Sequence, residues 1–199
     1  DIAIVVPQES KFANLSDLLA FAKANPGKLN IGSINVGSTQ HLAAELFKST
    51  AGIDAQVVPF NGTPAVLTAL RGGQIDVGVE ILAPVLPQIK GQALRALAVT
   101  GEKRAAALPQ VPTAKEAGVK TLYAASWNAL AAPAKTPRDI VQRLNQEIQS
   151  ALNNPDVRKK LIDMNVDPQP GTLQQAADLL SSETKRWGDV IQRAGITKQ

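Results

Sequence analysis

The 199-residue chain contains no cysteine. It therefore has neither a disulfide framework nor thiolate chemistry; the absence is compatible with an oxidising compartment without requiring one. A single histidine, His41, excludes any multi-histidine metal site. Seven aromatic residues (four Phe, two Trp, one Tyr) and scattered basic residues provide neither a stacking platform nor a basic stripe, which argues against nucleic acid as a partner. The net charge of +4 gives a mildly cationic surface suited to anionic small molecules. No apolar run approaches the roughly 20 residues that cross a bilayer. No signal peptide is visible. The chain opens Asp1-Ile2-Ala3-Ile4-Val5-Val6-Pro7, a strand pattern without a basic leader, which fits a cytoplasmic protein, a mature secreted one or a piece of something longer. With 44% hydrophobic and 19% charged residues, the composition is that of an ordinary globular protein of one or two domains.

Apolar periodicity and turn residues predict alternating elements. Ile2 to Val6 reads as a buried strand. A helix from about Asp17 to Ala24 follows, capped by Asn14 or Ser16 and stopped by Asn25-Pro26-Gly27. Strands are expected at Leu29–Ser33, Gln56–Phe60, Ile75–Ile81 and Leu94–Thr100. Between them fall helices at about Ser38–Thr50, Pro64–Leu70 and Ala83–Lys90. This rhythm implies parallel βαβ units. After Thr100 it changes. Residues 104–119 hold at most a short helix near Thr113–Ala117, and Leu122–Ala131 is extended. Helices are then expected at about Arg138–Leu152, Pro155–Met164 and Thr172–Ala194. A composition break between about Val119 and Thr136 separates a mixed lobe from a helical tail.

The stretch from Ile31 to His41 is the most informative. It reads as a strand end, a small-residue loop and a helix start. Gly32 and Gly37 allow tight turns and close approach. Ser38 or Thr39 can cap the helix, whose first amides have no intrahelical partner. Amides and hydroxyls at the positive end of a helix dipole suit an anion such as a carboxylate. The plain alternative is a capped helix after a glycine turn that holds only water. Two further loops, Phe60–Thr63 and Glu80–Ala83, also follow a strand and precede a helix. The three can converge at the carboxyl edge of one sheet, where ligands sit in open α/β folds. Glu80 falls at that edge and can accept from a ligand donor; a solvated charge is the alternative. Asp76 shares its face but lies about 13 Å away along the strand, too far for a shared-proton dyad.

Catalytic constellations are absent. There is no G-x-S-x-G elbow, no Walker motif and no G-x-G-x-x-G. Ser38 and His41 lie three residues apart on one helix face, but no orienting carboxylate or oxyanion hole accompanies them. No cofactor site is indicated.

Several runs together carry a family resemblance. They are Gly32-Ser33-x-x-x-Gly37-Ser38-x-x-His41-Leu42-Ala43-Ala44-Glu45-Leu46-Phe47, Val58-Pro59-Phe60-Asn61-Gly62, Gly73-Gln74-Ile75-Asp76-Val77 and Leu94-Arg95-Ala96-Leu97-Ala98-Val99-Thr100. Leu108-Pro109-x-Val111-Pro112-Thr113-x-x-Glu116-Ala117-Gly118, Ser126-Trp127, Ala132-Pro133-x-x-Thr136-Pro137 and Arg186-Trp187-Gly188 complete the set. In this order they resemble the solute receptors of tripartite tricarboxylate transporters, the Bug-type periplasmic binding proteins. The resemblance covers essentially the whole chain, except that a family N-terminal segment with a first glycine-rich ligand loop is missing.

The resemblance implies an α/β fold of the type II periplasmic binding protein kind, with two lobes, parallel-type sheets flanked by helices, and the first lobe incomplete. It implies that residues 8–123 form the complete second lobe. Residues 1–7 and 124–199 would supply crossing strands and C-terminal helices of the truncated first lobe. Those helices would expose an apolar face and favour self-association. The implied protein is periplasmic, has a signal peptide in its precursor, and is not an enzyme. It captures a small mono- or dicarboxylate between its lobes and delivers it to the permease subunits of a transporter. Carried over residue by residue, Ser33, Asn35, Gly37, Ser38 and Thr39 would surround a carboxylate. Phe60 stands where the family has tyrosine, Asn61 replaces a common lysine, and Glu80 stands where aspartate is usual. Two alternatives remain: an effector-sensing domain of a regulator, and an enzyme using Ser38 and His41.

Overall fold

The computed structural model describes residues 1–197. The chain divides into two compact units: Asp1–Ser126 with the segment from Val190, and Trp127–Asp189. In the first unit, β1 (Ile2–Pro7), β2 (Leu29–Ile34), β3 (Ala55–Phe60), β4 (Val77–Ile81) and β5 (Leu94–Val99) form one sheet of order β3-β2-β4-β1-β5. The helices α1 (Leu15–Ala24), α2 (Thr39–Ala51), α3 (Thr63–Arg71) and α4 (Leu82–Lys90) connect them.

β2 is parallel to β3, from Leu29 opposite Ala55 to Ile34 opposite Phe60, and parallel to β4. The sheet is mixed rather than wholly parallel, because β1 runs antiparallel to both β4 and β5. Its composition suits that central place. Ile2 to Val6 are all fully buried, so neither face can look at water. Ala3 and Val5 pack with Val66 and Leu70 of α3, Val85 of α4, and Leu108 and Val111 of the following loop.

Gly32 is a mid-strand residue, not a turn. A Cβ there would collide with Ile75 Cδ1, and one on Gly78, its partner across β2 and β4, would meet Leu70 Cδ1 at 2.9 Å. What approaches these glycines closely is the protein's own core. Asp76 lies just before β4, where its Oδ2 accepts from the Asn30 amide at 2.9 Å.

The short helix expected near Thr113 is a single turn. The Thr113 amide donates to Glu116 Oε2 (2.8 Å) and the Glu116 amide donates to Thr113 Oγ1 (3.1 Å), a capping box with no helix behind it. The Val99 amide donates to the Pro112 carbonyl and the Val99 carbonyl accepts from the Ala114 amide, which ties this segment to β5, and Gly118 at φ +100° turns the chain away. The Thr113 amide, followed by Arg104 at 2.9 Å, holds the Glu116 carboxyl below its ordinary range.

The second unit carries α5 (Arg138–Asn153), α6 (Pro155–Asp163) and most of α7 (Leu173–Arg193). Helices α5 and α6 bury none of their residues, and α7 buries only Val190. Ile140, Leu144, Ile162, Leu179 and Leu180 are exposed.

Candidate functional site

Ile34 and Phe60 close β2 and β3 side by side, and β4, parallel to β2, ends at Ile81. Each is followed within five residues by a helix, so the starts of α2, α3 and α4 gather at the carboxyl edge of the sheet. The three loops singled out by the sequence converge there.

Local chemistry fixes where α2 begins. Gly37 takes φ +81°, a left-handed turn that reverses the chain after β2. The Ser38 amide donates to the Asn35 carbonyl at 3.0 Å. Ser38, not Thr39, is the cap: its extended backbone places Oγ to accept from the His41 amide at 3.1 Å. The same hydroxyl donates to the Ile34 carbonyl at 3.1 Å, and Ser33 Oγ donates to that carbonyl at 3.3 Å. Both serine hydroxyls are therefore directed at protein. Among the described residues, no protein acceptor takes the amides of Thr39 and Gln40. At α3, Gly62 at φ +88° makes the corresponding turn, no side chain caps the helix, and the Thr63 amide is likewise open. At the starts of α2 and α3, the donors left without a protein acceptor include these backbone amides.

Asn35 and Gly37 are exposed, Thr39 is half-buried, and Phe60 is half-buried against the apolar cluster that includes Ile34 and Val58. Glu80 is not a solvated charge; it is fully buried. Its Oε2 accepts from Thr63 Oγ1 at 2.8 Å and from Gln40 Nε2 at 3.4 Å, while Oε1 is buried with no partner. Burial pushes the Glu80 carboxyl up from its ordinary value, against smaller opposing effects from Thr63, Gln40 and the Ile81 amide. Gln40 and Thr63 thus join Glu80 from two helices. Sequence reasoning placed Thr63 only as the end of a converging loop and gave Gln40 no role; their positions as first residue of α3 and second residue of α2, beside an edge carboxylate, were the available signal.

His41 is buried, which lowers its pKa, with Glu45 opposing and Lys48 adding to the shift. Its Nδ1 lies 3.5 Å from the Gly37 amide. Ser38 Oγ meets the His41 backbone rather than the imidazole, and its proton is directed at Ile34, so the two do not form a nucleophile–base pair. Among the described residues, no cluster of His, Asp or Glu could hold a metal ion. No described helix is long and apolar enough to cross a membrane. A cavity of about 500 Å³ along the edge of β5 is a weaker candidate. Its one guanidinium, Arg95, already donates to the carbonyls of Gln8 (2.6 Å) and Phe12 (3.2 Å).

The model of the "Tripartite tricarboxylate transporter family receptor" family matches residues 1–196. A curated relative from a Pseudomonas species, encoded in the tcbD-tcbE intergenic region, is 36% identical over 189 residues, covering 94% of this chain and 56% of its own length. The solved structure of Rpa4515 from R. palustris with adipate superposes with a TM-score of 0.85 at 32% identity, covering 98% of this chain and 65% of that one. MatC from Rhodopseudomonas palustris with bound malate gives a TM-score of 0.80 at 29% identity, over 96% and 66%. The chain thus spans between about half and two thirds of the length of these relatives. Its α/β fold is that of their periplasmic binding proteins. The chain belongs to the tripartite tricarboxylate transporter receptor family.

Proposed function

We propose that the protein is an extracytoplasmic solute receptor that captures a small mono- or dicarboxylate without turnover and delivers it to the permease subunits of a membrane transporter in the periplasm. The observation that carries this reading is the set of open amides at Thr39, Gln40 and Thr63, grouped at one sheet edge at the positive ends of two helix dipoles. An anionic carboxylate fits that set because its oxygens accept charge-assisted bonds from several amides at once. The relatives crystallised with adipate and malate support the same ligand class. Residues 8–123 would form the complete lobe of the receptor, with residues 1–7 and 124–199 serving the other, and capture would proceed by closure of the two.

Isothermal titration with adipate, malate and a panel of monocarboxylates tests the reading. Saturable binding of at least one acid, with no consumption of the acid on prolonged incubation, is the expected result. Silence across the panel, or conversion of an acid to product, contradicts it.

The exposed apolar residues of α5 to α7 would also lead copies of this chain to pair, since so many uncovered apolar side chains favour association. Light scattering on the eluted protein is expected to give about twice the chain mass of 21.0 kDa or more. A monomeric mass at micromolar concentration removes that part of the proposal.

A further inference from the structure

Glu80 is the only fully buried acidic side chain among the described residues. It sits between the two helix starts that carry the open amides: Gln40 of α2 and Thr63 of α3 both bond its Oε2. Its Oε1 has neither a protein partner nor solvent. An ionised carboxylate would leave that oxygen's charge without a single hydrogen bond, which is a costly state in a protein interior.

Among the described residues, no cationic side chain on the elements packed around Glu80 offsets that charge. β2 carries no titratable residue, and β4 carries none besides Glu80 itself. β1 is preceded only by Asp1. In α3 and α4 the charged residues, Arg71 and Lys90, stand at the far ends of their helices, whose first turns have none. On α2 the nearest titratable groups are His41, itself buried, and Glu45. The carboxyl is therefore enclosed by neutral donors, at the place where an incoming anion would add a second negative charge.

Building on the receptor reading above, we propose that capture of a carboxylate at the starts of α2 and α3 is coupled to proton retention on Glu80, so that the neutral acid is the binding-competent form. A neutral Glu80 places no negative charge beside the ligand, whereas an ionised one repels it across the same two helix ends. By linkage, the bound anion must in turn favour the protonated carboxyl, so binding takes up protons wherever free Glu80 is partly ionised. The raised pKa that burial gives Glu80 brings this window above the ordinary carboxylate range.

Two arms test the coupling. In the first, adipate and malate are titrated calorimetrically from pH 5 to pH 8.5, in buffers of different ionisation enthalpy, into the wild type and Glu80→Gln. The wild type is expected to lose affinity with rising pH, by at most about tenfold per pH unit, with up to one proton taken up per ligand. Glu80→Gln, which keeps the acceptor for Thr63 and Gln40 and cannot ionise, is expected to bind with no such slope. Equal slopes in the two proteins, or wild-type affinity that rises with pH, overturns the proposal.

The second arm uses no ligand: carbon-13 NMR follows the Glu80 side-chain carboxyl through a pH titration, assigned by its loss in Glu80→Gln. Titration above the ordinary glutamate range supports the neutral acid, and titration within that range overturns the proposal. Absence of acid binding in both proteins would sink the receptor reading and the coupling with it, and the second arm would still report the state of Glu80.

Discussion

Replacing Phe47 with alanine is expected to destabilise the first unit by about 3–5 kcal/mol, the range for deleting a fully buried aromatic side chain. Phe47 is among the largest side chains with no exposure, on the inward face of α2 with Leu42, Ala43, Ala44 and Leu46. A domain typically holds only about 5–15 kcal/mol in total. The change should therefore lower the urea midpoint sharply, without altering the denaturant slope if unfolding stays two-state. The effect reaches the site, because the packing of α2 against the sheet is what aims the amides of Thr39 and Gln40 at its edge. A loss below 1 kcal/mol would mean that α2 is not anchored as described.

The second large effect lies in the pH dependence of stability, where two buried groups act in opposite directions. Glu80 holds its proton more tightly folded than unfolded, because burial penalises its charge. Its contribution is complete at pH values below the ordinary carboxyl range and is lost as pH rises through the raised native value. His41 is the reverse. Burial lowers its native pKa, so the unfolded chain binds the proton more readily. Its contribution is complete above the ordinary imidazole range and is lost as pH falls through the depressed native value. One window opens upward from the ordinary carboxyl range and the other downward from the ordinary imidazole range. The two therefore oppose each other in mildly acidic solution, and the wild-type curve should be flatter there than that of either single variant. Glu80→Gln should leave stability rising with pH, and His41→Asn should leave it falling. Urea midpoints between pH 4.5 and pH 7.5 check both slopes; slopes of the same sign in the two variants would contradict the assignment.

Much of the fold was legible because its signals are local. Capping residues and glycines marked the starts and ends of α2 and α3, and the expected strand positions match the observed ones to within two residues. The direction of β1 was not legible. Five consecutive buried apolar residues indicate a central strand but carry no information about which neighbours it joins. The turn at Thr113–Gly118 shows the converse: a genuine capping box formed, but backbone bonds to β5 and the left-handed Gly118 left no room for a helix.

At the site, the convergence of three loops followed from the order of elements, while the partners did not. Ser33 and Ser38 look like ligand donors in a sequence, yet their distance from the Ile34 carbonyl, about 3 Å, is a property of the folded turn. Glu80 at a strand end reads equally as an acceptor for a ligand donor or as a solvated charge, and it is neither solvated nor free: it is buried under protein donors. Only the placement of Gln40 and Thr63 over it decides, and that depends on the relative positions of two helices and a strand.

Receptor function of this chain requires backbone amides at the starts of α2 and α3 to receive an anion. Nitrogen-15 spectra of the labelled protein titrated with adipate or malate address it residue by residue. Saturable shifts are expected at Thr39, Gln40 and Thr63, larger than at amides elsewhere in the sheet, with the same midpoint as calorimetry. Binding that leaves those three amides unmoved while shifting others, such as those along the edge of β5, would contradict it.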